Sequence, residues 1–242
     1  MCAAVAAATD MELVAAVDPR AVGGQAVAGG PAIAADIEAL SEAGAEVAVD
    51  FTVAGAAVEN AKRCADLGIN VVIGTTGIGD HELGELRRAF PGDLLGCIVA
   101  PNFAIGAVLM MRFAEMAAPW FETAEIIELH HDAKIDAPSG TAMRTAERMA
   151  KASPEWASDP TQVHTVAAAR GGSGPAGIRI HSVRLRGLVA HQEVLFGTTG
   201  QSLSIRHDSY DRESFMPGVL LAVREVGRRP GVTVGLDPLL GI

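Results

Sequence analysis

The sequence has 242 residues, 49% hydrophobic and 20% charged, and its 19 basic against 29 acidic side chains give a formal net charge of −10. Nucleic-acid binders usually carry a basic surface with stacking aromatics, so this acidic balance and the 4% aromatic content predict no nucleic-acid partner. No apolar run reaches the length of a membrane span, and the hydrophobic content argues against disorder. We expect a soluble, folded chain with no membrane partner and with one large core or two smaller ones.

Cysteine usage and the N-terminal segment bear on the cellular compartment. Cys2, Cys64 and Cys97 are odd in number and show no CxxC spacing, which indicates neither a disulfide framework nor a zinc site. The small residues at the start resemble a secretory signal, but no basic segment precedes them, and Asp10 and Glu12 interrupt the run. A reducing, cytoplasmic location is expected.

The first half of the chain alternates between strands and helices. Residues 1–8 are predicted to form the end of an Ala-rich helix, and residues 12–17 form a strand that stops at Asp18. The elements expected next are a surface loop at 23–31, strands at 46–51, 70–76 and 95–100, and helices at 53–67, 81–90 and from about 103 to 116. This alternation predicts a parallel sheet with crossover helices, as in doubly wound α/β folds.

The second half has a different pattern. The expected elements are a strand at 125–130, a helix from the cap at Ser139 to about 152, a flexible loop at 170–177, strands at 178–186, 192–196 and 202–207, and a last helix near 215–228. Several strands without helices between them predict a more antiparallel sheet in an α+β unit.

Small polar turns follow three of the predicted parallel strands, where ligands bind in doubly wound sheets. Asp18 follows the first. In a dinucleotide fold an acid there binds a ribose 2′-hydroxyl, although for Asp18 taken alone an ordinary Asp-Pro turn is the favoured explanation. The sequence GTTG at Gly74 and the sequence APNF at Ala100 follow the other two. Glycine lets backbone approach a planar ring, and threonine supplies a hydroxyl, so the three turns together favour a cofactor crevice.

The densest group of functional side chains begins at His130. Histidine has an ordinary pKa near 6.5, which suits proton transfer at neutral pH, and Lys134 can donate a proton or neutralise a developing anion. Ser139, Gly140 and Thr141 follow a proline and predict a helix N-terminus whose amides can hold a carboxylate. These residues predict acid–base catalysis on an anionic substrate.

Other interpretations of this group exist. The paired histidines could be surface residues, and the Ser-Gly-Thr run could simply cap a helix. A metal site made by His130, His131 and Asp132 is less favoured, because adjacent residues on a strand point to opposite faces. We therefore predict no metal ligand set.

The run ELHHDAKIDAPSGTA at 128–142 resembles the signature of the 4-hydroxy-tetrahydrodipicolinate reductase (dihydrodipicolinate reductase) family of lysine and diaminopimelate biosynthesis. Similar agreement is found in VDFT at 49–52, GTTG at 74–77, APNFAIGA at 100–107, GLVAHQEVLFGT at 187–198 and LSIRHDS at 203–209. The resemblance extends in order over nearly the whole chain.

The resemblance implies NADH- or NADPH-dependent reduction of a small dicarboxylate substrate, with loss of water, by a homotetramer. It implies a Rossmann-like dinucleotide-binding domain at 1–104 and 213–242, and an α+β substrate-binding and oligomerisation domain with a mixed sheet at 105–212. The implied catalytic residues are His130 and Lys134. The implied substrate contacts are His131, Gly140 and Thr141, with Arg212 a candidate for a second carboxylate; the implied cofactor contacts are Asp18, Gly74, Thr75, Thr76, Ala100, Pro101, Asn102 and Phe103.

The sequence departs from the family at its start. The family begins with a strand and a GxxGxxG turn that holds the pyrophosphate, whereas Met1 here falls within the helix that follows that turn. We expect that the true start lies upstream. Two alternatives stay open: another amino-acid dehydrogenase of the same fold, and a catalytically impaired relative that only binds substrate or subunits. Asp18 favours NADH, and Arg20 would also permit NADPH.

Overall fold

A computed structural model describes every residue, Met1–Ile242. The chain forms two units, one made of Met1–Phe103 and Phe215–Ile242 and the other of Ala104–Ser214. The helices are α1 Cys2–Ala7, α2 Glu38–Glu42, α3 Ala54–Asp66, α4 Asp80–Ala89, α5 Ile105–Ala117, α6 Gly140–Ala152, α7 Met216–Val226 and α8 Asp237–Leu240. The strands are β1 Ala16–Val17, β2 Ile33–Ala34, β3 Val47–Asp50, β4 Asn70–Ile73, β5 Gly96–Val99, β6 Thr123–His130, β7 Gly172–Ser173, β8 Arg179–Arg184, β9 Ala190–Thr198, β10 Gln201–Ser209 and β11 Gly231–Val234.

The first unit contains a four-stranded parallel sheet of order β11-β5-β4-β3 and a separate parallel pair, β1-β2. Most residues of β4 and all of β5 are buried, which is why these strands appear in the sequence as unbroken apolar runs. Helix α3 packs on the same core through Ala57, Val58, Ala61 and Cys64, a set with the spacing of one helical face. The parallel α/β organisation predicted from the sequence is confirmed.

Burial makes two of the three cysteines unreactive. Desolvation raises the pKa of Cys64 to about 11 and that of Cys97 to about 12, while Cys2 is only half-buried. Since the thiolate is the reactive form, we expect one equivalent of a thiol reagent to label the native protein at pH 8, with Cys2 as the labelled residue. Mass spectrometry of the labelled protein, with denatured protein as the control for all three thiols, checks this; labelling of Cys97 in native protein would contradict it.

The second unit is built on a five-stranded mixed sheet of order β10-β9-β6-β8-β7. Strand β6 pairs antiparallel with β9 and parallel with β8. Its core lies between one sheet face and helices α5 and α6, where Ile126, Ile180, Val194 and Phe196 pack with Met149. The α+β character and the mixed sheet are confirmed.

Several local predictions were wrong. The first strand covers only Ala16–Val17, because its ladder with β2 has just two residue pairs. The predicted loop at 170–177 contains β7, and the strand at 70–76 ends at Ile73, before the GTTG turn. The second sheet is less antiparallel than expected, because α6 and the segment after it form a crossover that brings β8 back parallel to β6.

The elements that the sequence did not predict are short. They are β2, α2, β7, β11 and α8, each of two to five residues. Such segments are too short to show a hydrophobic periodicity of their own. Strand β11, for example, is defined by its parallel pairing with β5. None of the helices combines the length and the apolar character needed to span a bilayer.

Candidate active site

His130 is the last residue of β6, and its side chain faces the same way as Ile126 and Glu128 because strand residues alternate. Its side chain is 15% exposed, whereas the neighbouring His131 leaves the strand and is exposed. The two histidines are therefore in different environments, as the alternation predicts. No three histidine, cysteine or acidic side chains come together in an arrangement that could hold a metal ion.

A fully buried carboxylate, Glu128, lies directly behind His130. Its Oε2 is 2.5 Å from His130 Nδ1, and Arg184 donates to both of its oxygens, from Nη1 at 2.9 Å and from Nη2 at 2.8 Å. The backbone N–H of Ser139 donates to Oε1 at 3.2 Å. A buried charge requires such partners, and here each carboxylate oxygen accepts from at least two groups.

These contacts set the protonation of the pair. Burial alone would raise the pKa of Glu128, but hydrogen bonds from Arg184, Ser182 and His130 outweigh it and hold that pKa below its ordinary value. Burial lowers the pKa of His130, and the positive charges of Lys134 and Arg184 act in the same direction, against the opposing hydrogen bond from Glu128. At neutral pH the site therefore holds an ionised Glu128 and a neutral His130.

Lys134 is carried by the loop between β6 and α6. Its Nζ donates to both oxygens of Asp136, at 2.7 and 2.9 Å, and lowers the pKa of that exposed carboxyl. Arg184 Nη2 also donates to the backbone carbonyl of Asp136 at 2.6 Å. One guanidinium thus contacts both the carboxylate behind His130 and the loop that carries Lys134.

Helix α6 begins where this loop ends. Ser139 is its N-cap, and the Ser139 hydroxyl accepts from Ala142 N at 3.2 Å, while its carbonyl accepts from Met143 N. Gly140 and Thr141 occupy the first two helical positions, and open space lies over the Gly140 Cα. First-turn amides and the positive end of the helix dipole suit an anion, so this end of α6 can hold a carboxylate.

In the first unit, the predicted cofactor residues follow two adjacent strands. Ile73 of β4 pairs with Val99 of β5, so residues 74–76 and 100–103 leave the sheet side by side. A Cβ on Gly74 would lie 2.2 Å from the Phe51 ring, so a side chain at that position would displace this ring. Thr75 is buried and donates from its hydroxyl to the Thr52 carbonyl at 2.9 Å. This tight packing sets the backbone at the carboxyl ends of the two strands.

Asp18 comes directly after β1, as predicted. Its Oδ1 accepts from the backbone N–H of Arg20 at 2.9 Å, and the Arg20 side chain, 91% exposed, lies 3.6 Å away. The structure thus gives Asp18 the geometry of an ordinary turn while leaving its carboxylate partly exposed. Arg212, the candidate for a second substrate carboxylate, is exposed at the start of a 3-10 helix.

The neutral state of His130 can be measured directly. We expect its NMR titration midpoint to lie below the usual value of 6.5, because burial and two nearby cations disfavour the imidazolium. Lys134→Met should raise the midpoint, since it removes one of these cations. A His130 midpoint at or above 6.5 would contradict the prediction.

Comparisons with known proteins agree over the whole chain. Residues 1–103 match the family model described as dihydrodipicolinate reductase, N-terminus, and residues 106–240 match the one described as dihydrodipicolinate reductase, C-terminus. The chain belongs to the dihydrodipicolinate reductase family. Its members are NAD(P)H-dependent oxidoreductases, and the Rossmann-like first domain expected from the sequence is confirmed by the same match.

Individual relatives support the same assignment. The chain is 52% identical to the 4-hydroxy-tetrahydrodipicolinate reductase of Nocardia farcinica, covering 100% of this chain and 93% of that protein. It is 50% identical to the 4-hydroxy-tetrahydrodipicolinate reductase of Cutibacterium acnes, with the same coverage. Among solved structures, dipicolinate-bound dihydrodipicolinate reductase from Paenisporosarcina sp. TG-14 is 41% identical, with a TM-score of 0.85 over 98% of this chain and 92% of that one.

No sequence pattern indicated a role for Glu128 or Arg184. Glu128 was visible as a lone acid on the inward-facing side of a β-strand, a position that favours apolar residues. Arg184 is 56 positions further along the chain, and no local pattern links the two. Only the pairing of β6 with β8 brings them together.

Proposed function

We propose that this protein reduces 4-hydroxy-tetrahydrodipicolinate to tetrahydrodipicolinate with NADH or NADPH, with loss of water, in lysine and diaminopimelate biosynthesis. The observation that carries this proposal is the His130–Lys134–α6 arrangement: a buried neutral imidazole, an ammonium and a helix N-terminus, all on one continuous segment of a chain that belongs to the reductase family. Acid–base groups beside an anion site are what reduction of an unsaturated ring dicarboxylate requires.

The first domain, at 1–104 and 213–242, would bind the nicotinamide cofactor. The tightly packed turns at Gly74, Thr75 and Thr76 and at 100–103 leave adjacent parallel strands at their carboxyl ends, where doubly wound folds bind nucleotides. These turns would hold the nicotinamide ring by backbone groups, and Asp18 would accept hydrogen bonds from the adenosine ribose. The bound cofactor supplies a hydride to the substrate ring.

The second domain, at 105–212, would bind and protonate the substrate. The amides of Gly140 and Thr141, with the exposed His131, would hold one carboxylate at the α6 N-terminus, and Arg212 would pair with the other. Lys134 would release Asp136 and donate a proton to the ring as negative charge develops. His130 would exchange a proton at the ring nitrogen that does not face Glu128.

An assay of purified protein tests the reaction. The substrate, generated by condensing pyruvate with aspartate semialdehyde, is added with NADH or NADPH, and the loss of nicotinamide absorbance is followed. We expect turnover with this substrate and none when aspartate semialdehyde is omitted. Reduction of simple 2-oxo or imino acids without this substrate would favour another amino-acid dehydrogenase. Substrate or dipicolinate binding without turnover would favour the impaired relative.

Cofactor choice depends on two side chains at the end of β1. Asp18→Ser should raise the KM for NADH by about tenfold, because a charge-assisted hydrogen bond to the ribose is lost, with a smaller effect on NADPH. Arg20→Ala should raise the KM for NADPH by about tenfold and leave NADH nearly unchanged, because the arginine would bind the 2′-phosphate. Steady-state kinetics with both cofactors checks this, and equal effects of either variant on the two cofactors would contradict it.

We also propose a cytoplasmic homotetramer that assembles through the second sheet. The face opposite α5 and α6 carries apolar side chains from neighbouring strands, among them Ile127, Leu129, Val183 and the 37% exposed Leu195, between the ion-paired Glu125 and His181. Exposed apolar side chains grouped in this way favour association. Light scattering of the purified protein tests the assembly, and a Leu195→Glu variant should weaken it.

A further inference from the structure

The contact on the buried side of the His130 ring determines which ring nitrogen is protonated. Glu128 is fully buried and ionised, and an ionised carboxylate only accepts hydrogen bonds. The 2.5 Å contact between its Oε2 and His130 Nδ1 therefore requires a hydrogen on Nδ1. In a neutral imidazole that leaves Nε2 with the lone pair.

Arg184 is what keeps this carboxylate ionised and oriented. It donates to both oxygens in a bidentate pair, and Ser139 N–H adds a third donor from the start of α6. Arg184 is also held by the carbonyls of Val183 and Asp136, so its guanidinium plane is fixed from several sides. These contacts orient the carboxylate toward His130.

We propose that the Glu128–Arg184 pair is the positioning element of this site: it fixes His130 in the tautomer with hydrogen on Nδ1 and leaves Nε2 to exchange a proton with the substrate. The proton exchange at Nε2 rests on the proposed reductase function, whereas the assignment of the tautomer does not. Through the Asp136 carbonyl, the same arginine also orders the loop that carries Lys134. Neither Glu128 nor Arg184 touches the substrate in this proposal.

Glu128→Gln should reverse the tautomer. The glutamine must place an NH2 group where one carboxylate oxygen was. At the Oε1 position the NH2 would meet two donors, Arg184 Nη2 and Ser139 N–H, whereas at the Oε2 position it would meet one fixed donor, Arg184 Nη1. The Ser182 hydroxyl, which also bonds Glu128, can rotate to donate or accept and does not decide the orientation. The second orientation is favoured, and its NH2 then donates to His130 Nδ1, which moves the histidine hydrogen to Nε2.

The test is a two-dimensional ¹H–¹⁵N spectrum of protein labelled at histidine nitrogen, recorded at a pH where His130 is neutral. The His130 signals are identified by their loss in His130→Gln. We expect hydrogen on Nδ1 in the wild-type protein and on Nε2 in Glu128→Gln, with kcat lowered roughly 10²-fold and KM changed far less. Glu115→Gln is the matched control, because it also replaces an arginine-paired carboxylate of this unit, here one bound by Arg148 and Arg112, and it should change neither quantity.

Three results would overturn the proposal. Hydrogen on Nε2 of His130 in the wild-type protein would contradict the proposal. This result does not depend on whether the glutamine variant folds. The positioning role would be contradicted if Glu128→Gln kept hydrogen on Nδ1. It would also be contradicted if the hydrogen moved to Nε2 while kcat stayed unchanged. A wild-type protein with the expected tautomer but no turnover contradicts the proposed function instead, and supports the tautomer assignment, so the two failures are distinguishable.

Discussion

Lys134→Ala is expected to lower kcat by about 10²- to 10⁴-fold, the usual effect of removing a positioned general acid. The dissociation constant for NADH should stay nearly unchanged, because the predicted cofactor contacts belong to the first unit and Lys134 to the second. The carboxylate that pairs with Lys134 is that of the exposed Asp136, so loss of the lysine leaves no buried carboxylate unpaired. Steady-state kinetics and NADH titration of the same preparation measure the two quantities.

Lys151→Ala is the control for this prediction. Lys151 lies in the last turn of α6, is exposed and is outside the proposed site, so its removal should leave both kcat and NADH binding at wild-type values. Equal losses of kcat and of NADH affinity in Lys134→Ala would show that the lysine supports the fold or the cofactor rather than the proton transfer.

Arg184→Met is expected to lower the free energy of unfolding at pH 7 by about 3 kcal/mol. Removing one partner of a buried ion pair leaves an uncompensated charge, here the fully buried Glu128. The estimate is at the lower end of the usual range because 19% of the Arg184 side chain is exposed. Urea unfolding followed by circular dichroism measures the difference.

The pH dependence of this stability difference shows whether it comes from the charge of Glu128. In the wild-type protein the folded-state pKa of Glu128 is lowered, so its contribution to stability is present above the unfolded pKa of about 4.3 and is lost as the pH falls through the folded pKa. In Arg184→Met the guanidinium is gone and burial raises the pKa of Glu128 instead. The gap should therefore be largest near pH 7, shrink as the pH falls through the raised pKa of the variant, and shrink further through the lowered pKa of the wild type. Arg186→Met removes an arginine from a pair in which the Arg186 side chain is 91% exposed, and should have an effect below about 1 kcal/mol. A gap that does not vary with pH would indicate lost packing instead.

Local sequence patterns predicted the parts of the fold that are long or fully buried. The apolar runs of β4 and β5 gave the parallel sheet, and the Ser139 cap gave the start of α6. The short strands β2 and β11 escaped prediction because they exist only through their ladders with β1 and β5. For the same reason, the parallel pairing of β6 with β8 was not visible in the chain order.

The sequence by itself determined the family and the chemical groups, because His130, Lys134, Gly140 and Thr141 stand within one continuous segment whose order the strand, loop and helix preserve. The tertiary structure alone decided what lies behind the imidazole. Strand β8 returns to β6 in a register that sets Arg184 opposite His130 and beside Glu128. Such a contact depends on long-range strand pairing, so no local pattern predicts it. It nevertheless keeps Glu128 ionised, and through Glu128 it orients His130.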